Sequence, residues 1–322
     1  MTTTVETERA IEEAALFLDG VLMDVRLSYW RGKAPLEPED LGLTKSDVPD
    51  IVTLGRKLIV PREAMRAFER ISARANFITD QFTFPFPTGH ARFIPYSVLA
   101  RVLEELESLR TQFQDRVEDF FKNYEEYRSD MMEKYPEFEK ALAEAYMPES
   151  ELKKRYHMTW LLYTVSLPKG IRSSAIKASD AKVESAARQK ALEGATREYQ
   201  REFERQIDEF LGSAVGSLRA AVGEKVLAVS ERIQAGETVS VTALKGVREV
   251  IERFRTLNFV GDREVEDRLA ELEKLIPESG KRFEDTAFKA QFAAALEKVA
   301  STVVESDIST VTGEYKRRIR TE

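Results

Sequence analysis

Cysteine is missing from this chain of 322 residues, and histidine occurs only twice. The lack of cysteine excludes disulfides, thiolate metal clusters and a cysteine nucleophile. His90 and His157 lie far apart in the sequence, so neither belongs to the i, i+4 histidine pair with which a helix binds zinc. We therefore predict no metal ion and no cofactor.

Long apolar runs are also missing. No stretch reaches the roughly 20 apolar residues that a membrane span requires. The first 20 residues are acidic, whereas a signal peptide begins with basic residues. We expect a soluble protein of the cytoplasm that does not associate with membranes.

Glycine and proline are scarce, with 15 and 11 residues, whereas 43% of the residues are hydrophobic and 33% are charged. This composition is typical of a folded, mainly helical protein, and the length favours two domains. The predicted fold is mainly α: an elongated, coiled-coil-like bundle of long helices. We expect a long-helix module at residues 1–235 and a C-terminal helical unit at residues 236–322.

Apolar residues that recur every three or four positions predict the helices. The first runs from Val5 to Tyr29, a shorter one follows Pro61, and a long one runs from Ser97 to Met131. The longest is predicted from Ser179 to Ile233. Its apolar spacing of about 3.7 residues favours packing against several neighbours over a tight coiled coil. Three shorter helices are expected after residue 236, the first of them behind a Ser/Thr cap.

Two segments interrupt the helical pattern. Residues 77–96 are aromatic and rich in proline, which predicts an irregular hairpin. Residues 158–167 are aromatic and β-branched and predict a strand, although a buried helix end fits them as well. We expect a small β junction in which these two segments could pair. Residues 31–50 contain three prolines and predict an irregular surface connection.

Charge is distributed unevenly along the chain, whose net charge is −7. Residues 101–150 carry a net charge of −7, and residues 151–190 carry +6. Two interpretations remain open. The two stretches neutralise each other inside the fold, or they present opposite docking faces.

No phosphate-binding glycine loop or serine elbow is present, so we assign no catalytic residues and do not expect an enzyme. Cations next to Tyr156 and Trp160 form a candidate nucleic-acid-binding segment. Its cations are Lys153, Lys154, Arg155, Lys169, Arg172 and Lys177. The alternative is an ordinary helix end whose cations pair within the fold.

The apolar stripe of the longest predicted helix is a candidate interface for self-association. Its members are Leu192, Tyr199, Phe203 and Phe210. Burial in the core of the chain is the alternative role for the same stripe.

Several motifs occur in an order that resembles an uncharacterised family of bacterial and phage proteins. They are Tyr29-Trp30-Arg31-Gly32, residues 54–61 (LGRKLIVP), Phe86-Pro87, residues 92–95 (RFIP) and the long helix through Phe113, Phe120 and Tyr124. The likeness covers about residues 15–215. It implies a genomic setting, because members are often encoded beside MoxR-type AAA+ ATPases. It implies no catalytic residues.

The sequence thus predicts a non-enzymatic helical protein with a structural or interaction role, which forms a homo-oligomer. Through the family resemblance it is also an expected adaptor or client of a MoxR-type AAA+ ATPase. The alternative hypothesis is a nucleic-acid-binding accessory protein of phage or bacterial DNA metabolism that uses the basic segment at residues 153–177.

Overall fold

A computed structural model of the chain describes residues 19–87, 89–164, 182–237, 239–277 and 285–321. Within these ranges the fold is mainly helical with a small antiparallel sheet, as the composition predicts. The strands are β1 (Gly20–Ser28), β2 (Lys33–Pro35), β3 (Arg56–Leu58), β4 (Phe84–Pro85), β5 (Arg92–Pro95) and β6 (His157–Tyr163). The helices are α1 (Arg62–Phe82), α2 (Tyr96–Lys122), α3 (Tyr124–Lys134), α4 (Glu139–Ala145), α5 (Glu149–Leu152), α6 (Lys182–Gln234), α7 (Val241–Leu257), α8 (Arg263–Leu275), α9 (Thr286–Glu305) and α10 (Ile308–Thr321).

Four strands form one sheet in the order β4-β5-β1-β6, and β2 and β3 form a separate antiparallel pair. The hairpin of β4 and β5 places Phe84 opposite Phe93, within the segment predicted to form a hairpin. The predicted strand at 158–167 is also confirmed for residues 158–163, since β6 covers them. The prediction that residues 77–96 pair directly with residues 158–167 was wrong, because β1 lies between β5 and β6.

The helix predicted from Val5 to Tyr29 was wrong for residues 20–28, which form strand β1. Residues 5–18 of that prediction lie outside the described ranges. Leu22, Met23 and Asp24 are all buried, so the strand is covered on both faces. A strand buried on both faces has no simple alternation, and its apolar spacing then mimics a helix. A side chain at Gly20 would overlap the carbonyl of Ile94, so the close approach of β5 depends on this glycine.

The helix predicted after Pro61 is α1, and its stripe of Met65, Phe68, Ile71 and Ala75 is buried. The single long helix predicted from Ser97 is instead two helices, α2 and α3, separated at Asn123. The side-chain amide of Asn123 donates a hydrogen bond to the Asp119 carbonyl at 2.8 Å. Asparagine competes in this way with the backbone ladder, which the apolar spacing does not reveal.

The longest predicted helix is confirmed as α6, a helix of 53 residues. It packs against α7, α9 and α10, as its slow apolar repeat predicts. Helix α7 begins behind Ser240, whose hydroxyl accepts a hydrogen bond from the Ala243 N–H at 3.1 Å. Helices α7, α8 and α9 are the three shorter helices expected after residue 236, and α10 follows them.

The described residues form two compact units. The C-terminal unit contains residues 19–22, residues 83–99 and the described residues from 163 onward. The central unit contains residues 23–82 and 100–162. The boundary predicted after residue 235 falls inside the C-terminal unit.

The core of the central unit is a cluster of aromatic rings. Phe120 lies at its middle, with ring centroids 6.5 Å from Trp30, 6.0 Å from Phe68 and 5.7 Å from Tyr156. Tilted and edge-on pairs at these distances add to the stabilisation from apolar burial. Tyr146 also packs here, and its hydroxyl donates to the Ile59 carbonyl at 2.8 Å.

The C-terminal unit buries an ion pair among its helices. Nε of Arg219, on α6, donates to Oδ2 of Asp262 at 2.7 Å, and each side chain is 2% exposed. Asp262 also accepts a hydrogen bond from the Val265 N–H at the start of α8, at 3.4 Å. Arg219 therefore ties α6 to the first turn of α8, and it reaches the Ser306 carbonyl before α10 as well.

Candidate interaction surface

The basic segment predicted from sequence begins in a tight turn of the central unit. Residues Lys153–Arg155 form one 3₁₀ turn between α5 and β6, fixed by Leu152, which is fully buried. Lys153 forms an ion pair with Glu149 and lies 5.1 Å from the ring centroid of Phe121. Lys153 thus has an anionic partner within the unit, although its side chain is 55% exposed.

Lys154 and Arg155 are exposed, as Lys153 is, but they differ from it in their contacts. Neither side chain has an ion pair or hydrogen bond to any residue in the described ranges. Two adjacent cations on a short turn create a local positive potential that is available to an anionic partner.

Tyr156 anchors this turn to the aromatic core. Its ring lies 5.2 Å from Phe68 and 5.7 Å from Phe120, measured between centroids. Its buried hydroxyl has no hydrogen-bond partner among the described residues, and burial raises the pKa of the phenol. The cations therefore project from a packed, preorganised part of the unit.

Strand β6 continues from the turn and carries exposed apolar side chains. Met158 is buried, and Trp160 is half-buried beneath the guanidinium of Arg110, which is 4.8 Å from the ring centroid. Beyond them, Leu161 is 57% exposed and Leu162 is 42% exposed. β6 is the outermost strand of its sheet, with no strand of the described ranges on its free side.

These residues define the basic strand surface, a term used below for Lys154, Arg155, Leu161 and Leu162. It combines cations, apolar side chains and the unpaired backbone groups of an edge strand. Such edges are templates for pairing with another chain. The sequence identified the cations and the strand, but it gave no signal that the strand lies at an edge.

A second exposed surface was missed as a site. Residues 36–55 connect β2 to β3. They are mostly irregular, as predicted for residues 31–50, whereas residues 33–35 of that predicted range form β2. The connection exposes four aliphatic side chains. These are Leu41, Leu43, Ile51 and Val52. The same residues contain five acids and a single lysine. The sequence signal that could have revealed this surface is the occurrence of apolar residues among acids without the periodicity of a helix or a strand. This segment is called the acidic loop below.

The remaining predicted site residues are placed as follows. Lys169, Arg172 and Lys177 lie outside the described residues, and so do the side chains of Leu192 and Tyr199. Phe203 and Phe210 are buried in the C-terminal unit. The ring of Phe210 packs against Phe86 at 5.1 Å. In the single chain these two rings are already covered.

Two further properties bear on function. Within the described ranges, no group of three carboxylate or imidazole side chains is arranged to hold a metal ion. No helix in the same part of the chain combines the length and the apolar character needed to cross a bilayer.

The fold and this surface describe a mainly helical protein with a small antiparallel sheet and an exposed edge strand. Residues 18–294 match a family described as protein of unknown function, DUF3150, and the chain belongs to that family. The match extends beyond residue 215, where the sequence resemblance was expected to end, and it includes α7 and α8. No curated protein and no solved structure matches the chain significantly.

Proposed function

We propose that this member of the family is an interaction protein, which acts by binding rather than by catalysis. The observation that carries the proposal is the basic strand surface. Leu161 and Leu162 lie exposed on an edge strand that follows Lys154 and Arg155 in the chain, and neither cation has an ion pair in the described residues. Exposed apolar residues rimmed by charge are typical of protein-binding surfaces.

The expected binding mode is addition of a partner strand to β6. An added strand would pair with the free backbone groups of β6, and its side chains would cover Leu161 or Leu162. Lys154 and Arg155 would select a partner segment that carries acids next to apolar residues. The half-buried Trp160 would remain part of the support beneath the surface.

Two partners are proposed for this surface. The first is another copy of the chain, which would make the protein a homo-oligomer. The second is a MoxR-type AAA+ ATPase, for which the protein would act as adaptor or client; this partner rests on the family resemblance seen in the sequence. In both cases the long helix α6 would serve as an elongated, coiled-coil-like scaffold.

Replacement of Leu161 by Asp tests the surface, because it places a charge where the partner would bury an apolar side chain. We expect the mass measured by light scattering to fall to that of a monomer, and binding to the ATPase to weaken. Val304→Asp is the matched control, because Val304 is 79% exposed on α9, away from this surface in the sequence. Unchanged mass and unchanged ATPase binding in Leu161→Asp would contradict the proposal.

Nucleic-acid binding is the second candidate function, and exposed Lys154 and Arg155 are the observation that favours it. Binding of single-stranded DNA would weaken with salt and would be lost in Lys154→Glu/Arg155→Glu. Leu161→Asp would leave it unchanged, which separates this function from protein binding. Fluorescence anisotropy with a labelled oligonucleotide measures both effects.

A further inference from the structure

We propose that the acidic loop of one copy is the segment that docks on the basic strand surface of a second copy. This inference rests on the proposed self-association and names the segment that occupies the surface. Each copy carries one of each surface, so the contact joins unlike surfaces.

The acidic loop is held in a defined shape. Its ends are joined by the hydrogen bond from the Leu36 N–H to the Gly55 carbonyl, at 3.1 Å. Nζ of Lys57 donates to Oδ2 of Asp40 at 2.6 Å, and the Glu37 N–H donates to the same carboxylate at 2.8 Å. A loop that is already ordered loses little conformational entropy when it binds.

A second internal bond orders the middle of the loop. The Thr44 N–H and hydroxyl both donate to Oδ2 of Asp47, each at 2.7 Å. These bonds hold the pKa of Asp47 below its usual range. The carboxylates of Asp40 and Asp47 are thus engaged in shaping the loop, which leaves other acids to meet a partner.

Glu39 and Asp50 are two of those acids. Both are exposed, and neither has an ion pair or hydrogen bond from its side chain to a residue in the described ranges. Next to Asp50, Ile51 is 93% exposed, and Val52 is exposed as well. The loop thus presents two free carboxylates beside aliphatic side chains.

The two surfaces are complementary in charge and in polarity. Glu39 and Asp50 are opposite in charge to Lys154 and Arg155. Leu161 and Leu162 are exposed in the single chain, and Ile51 and Val52 would supply the apolar side chains that cover them. Within one chain the two sets do not neutralise each other, because none of the four charged side chains has a partner in the described residues. A second copy supplies both halves.

Charge reversal tests the contact by light scattering and analytical ultracentrifugation. We expect Glu39→Lys/Asp50→Lys and Lys154→Glu/Arg155→Glu each to weaken self-association by about tenfold or more. An equimolar mixture of the two variants should associate again, because the reversed surfaces attract each other. The control Glu133→Lys/Glu137→Lys makes the same change in net charge at exposed acids of the central unit and should leave association unchanged.

Ile51→Ser tests the apolar part without a change in charge, and circular dichroism confirms that each variant is folded. Association of the wild type should weaken as salt is raised from 0.05 to about 0.5 M, because the exposed charges become screened.

Normal association of Glu39→Lys/Asp50→Lys would overturn the docking of the acidic loop. It would leave the proposed function standing if Leu161→Asp still dissociates the oligomer. If the wild type stays monomeric at 100 µM, a second copy is not the partner and the docking proposal is wrong. The binding of Leu161→Asp to the ATPase then becomes the one remaining test of the proposed function.

Discussion

The core of the central unit is built from aromatic rings around Phe120, whereas the C-terminal unit surrounds one buried ion pair with helices rich in valine, leucine and phenylalanine. Both cores contain polar groups that water cannot reach. In the central unit they include the hydroxyl of Tyr156, which is neutral. In the C-terminal unit they are the charges of Arg219 and Asp262.

The two cores differ in the polar groups that they tolerate. A phenol brings a large apolar ring into the core, so burial is favourable even where the hydroxyl of Tyr156 has no partner. A buried guanidinium has no such compensation and requires a carboxylate at hydrogen-bond distance. The C-terminal unit should therefore be far more sensitive to the loss of one polar partner than the central unit.

The largest expected effect is that of Arg219→Met. It leaves the charge of Asp262 buried without its partner, which costs about 3 to 5 kcal/mol of unfolding free energy. Urea denaturation followed by far-UV circular dichroism measures the loss, since the long helices dominate that signal. The double variant Arg219→Met/Asp262→Asn removes both charges and keeps a side-chain acceptor for the Val265 N–H, so it should recover part of the stability. Equal stability of both variants would show that the ion pair is not what holds these helices together.

A smaller effect is expected for Tyr146→Phe in the central unit. This change removes the hydrogen bond to the buried Ile59 carbonyl and should cost about 1 to 2 kcal/mol. Tryptophan fluorescence during urea denaturation reports on the change, because Trp30 and Trp160 both belong to the central unit and are the two tryptophans of the chain. No loss of stability would mean that the Ile59 carbonyl finds another donor.

Tyr156→Phe is the matched comparison, since it also removes a single hydroxyl from the aromatic core. The lost hydroxyl has no hydrogen-bond partner, so stability should stay within about 1 kcal/mol of the wild type or rise. The same fluorescence measurement decides the outcome. A loss as large as that of Tyr146→Phe would reveal a bonded hydroxyl and would remove the contrast between the two phenols.

The smallest difference appears only at alkaline pH. Burial raises the pKa of Tyr146 to about 12 and also raises the pKa of Tyr156, whereas an unfolded tyrosine has a pKa near 10. Because the unfolded chain releases these protons first, the contribution of these two tyrosines to stability should be constant below about pH 10 and should fall as pH rises above it. Denaturation midpoints between pH 8 and 11.5 measure the fall, which should be shallower in Tyr156→Phe. Parallel curves would show that Tyr156 ionises as readily in the folded state.

Much of the helical structure was predictable from local spacing. The apolar stripes from Met65 to Ala75 and from Phe203 to Val229 predicted α1 and α6, because residues three and four apart lie on the same side of a helix. Caps marked the beginning of α7. The cations of the basic strand surface were equally visible, since a run of lysine and arginine before an apolar strand is a property of the sequence itself.

Other features depended on neighbours that are distant in the chain. The apolar residues of β1 fit a helix until β5 and β6 are placed beside it. Leu161 and Ile51 are exposed because no described segment of the chain covers them. Arg219 forms its ion pair with Asp262, which lies 43 positions further along the chain.

Residue type and local periodicity are therefore enough to establish the helical class of the fold, the positions of most helices and the exclusion of cysteine chemistry. Which strand is an edge, which aliphatic side chains stay exposed and which buried charges are paired became known only from the folded chain. Burial and pairing are properties of contacts between distant segments, and no local pattern encodes them.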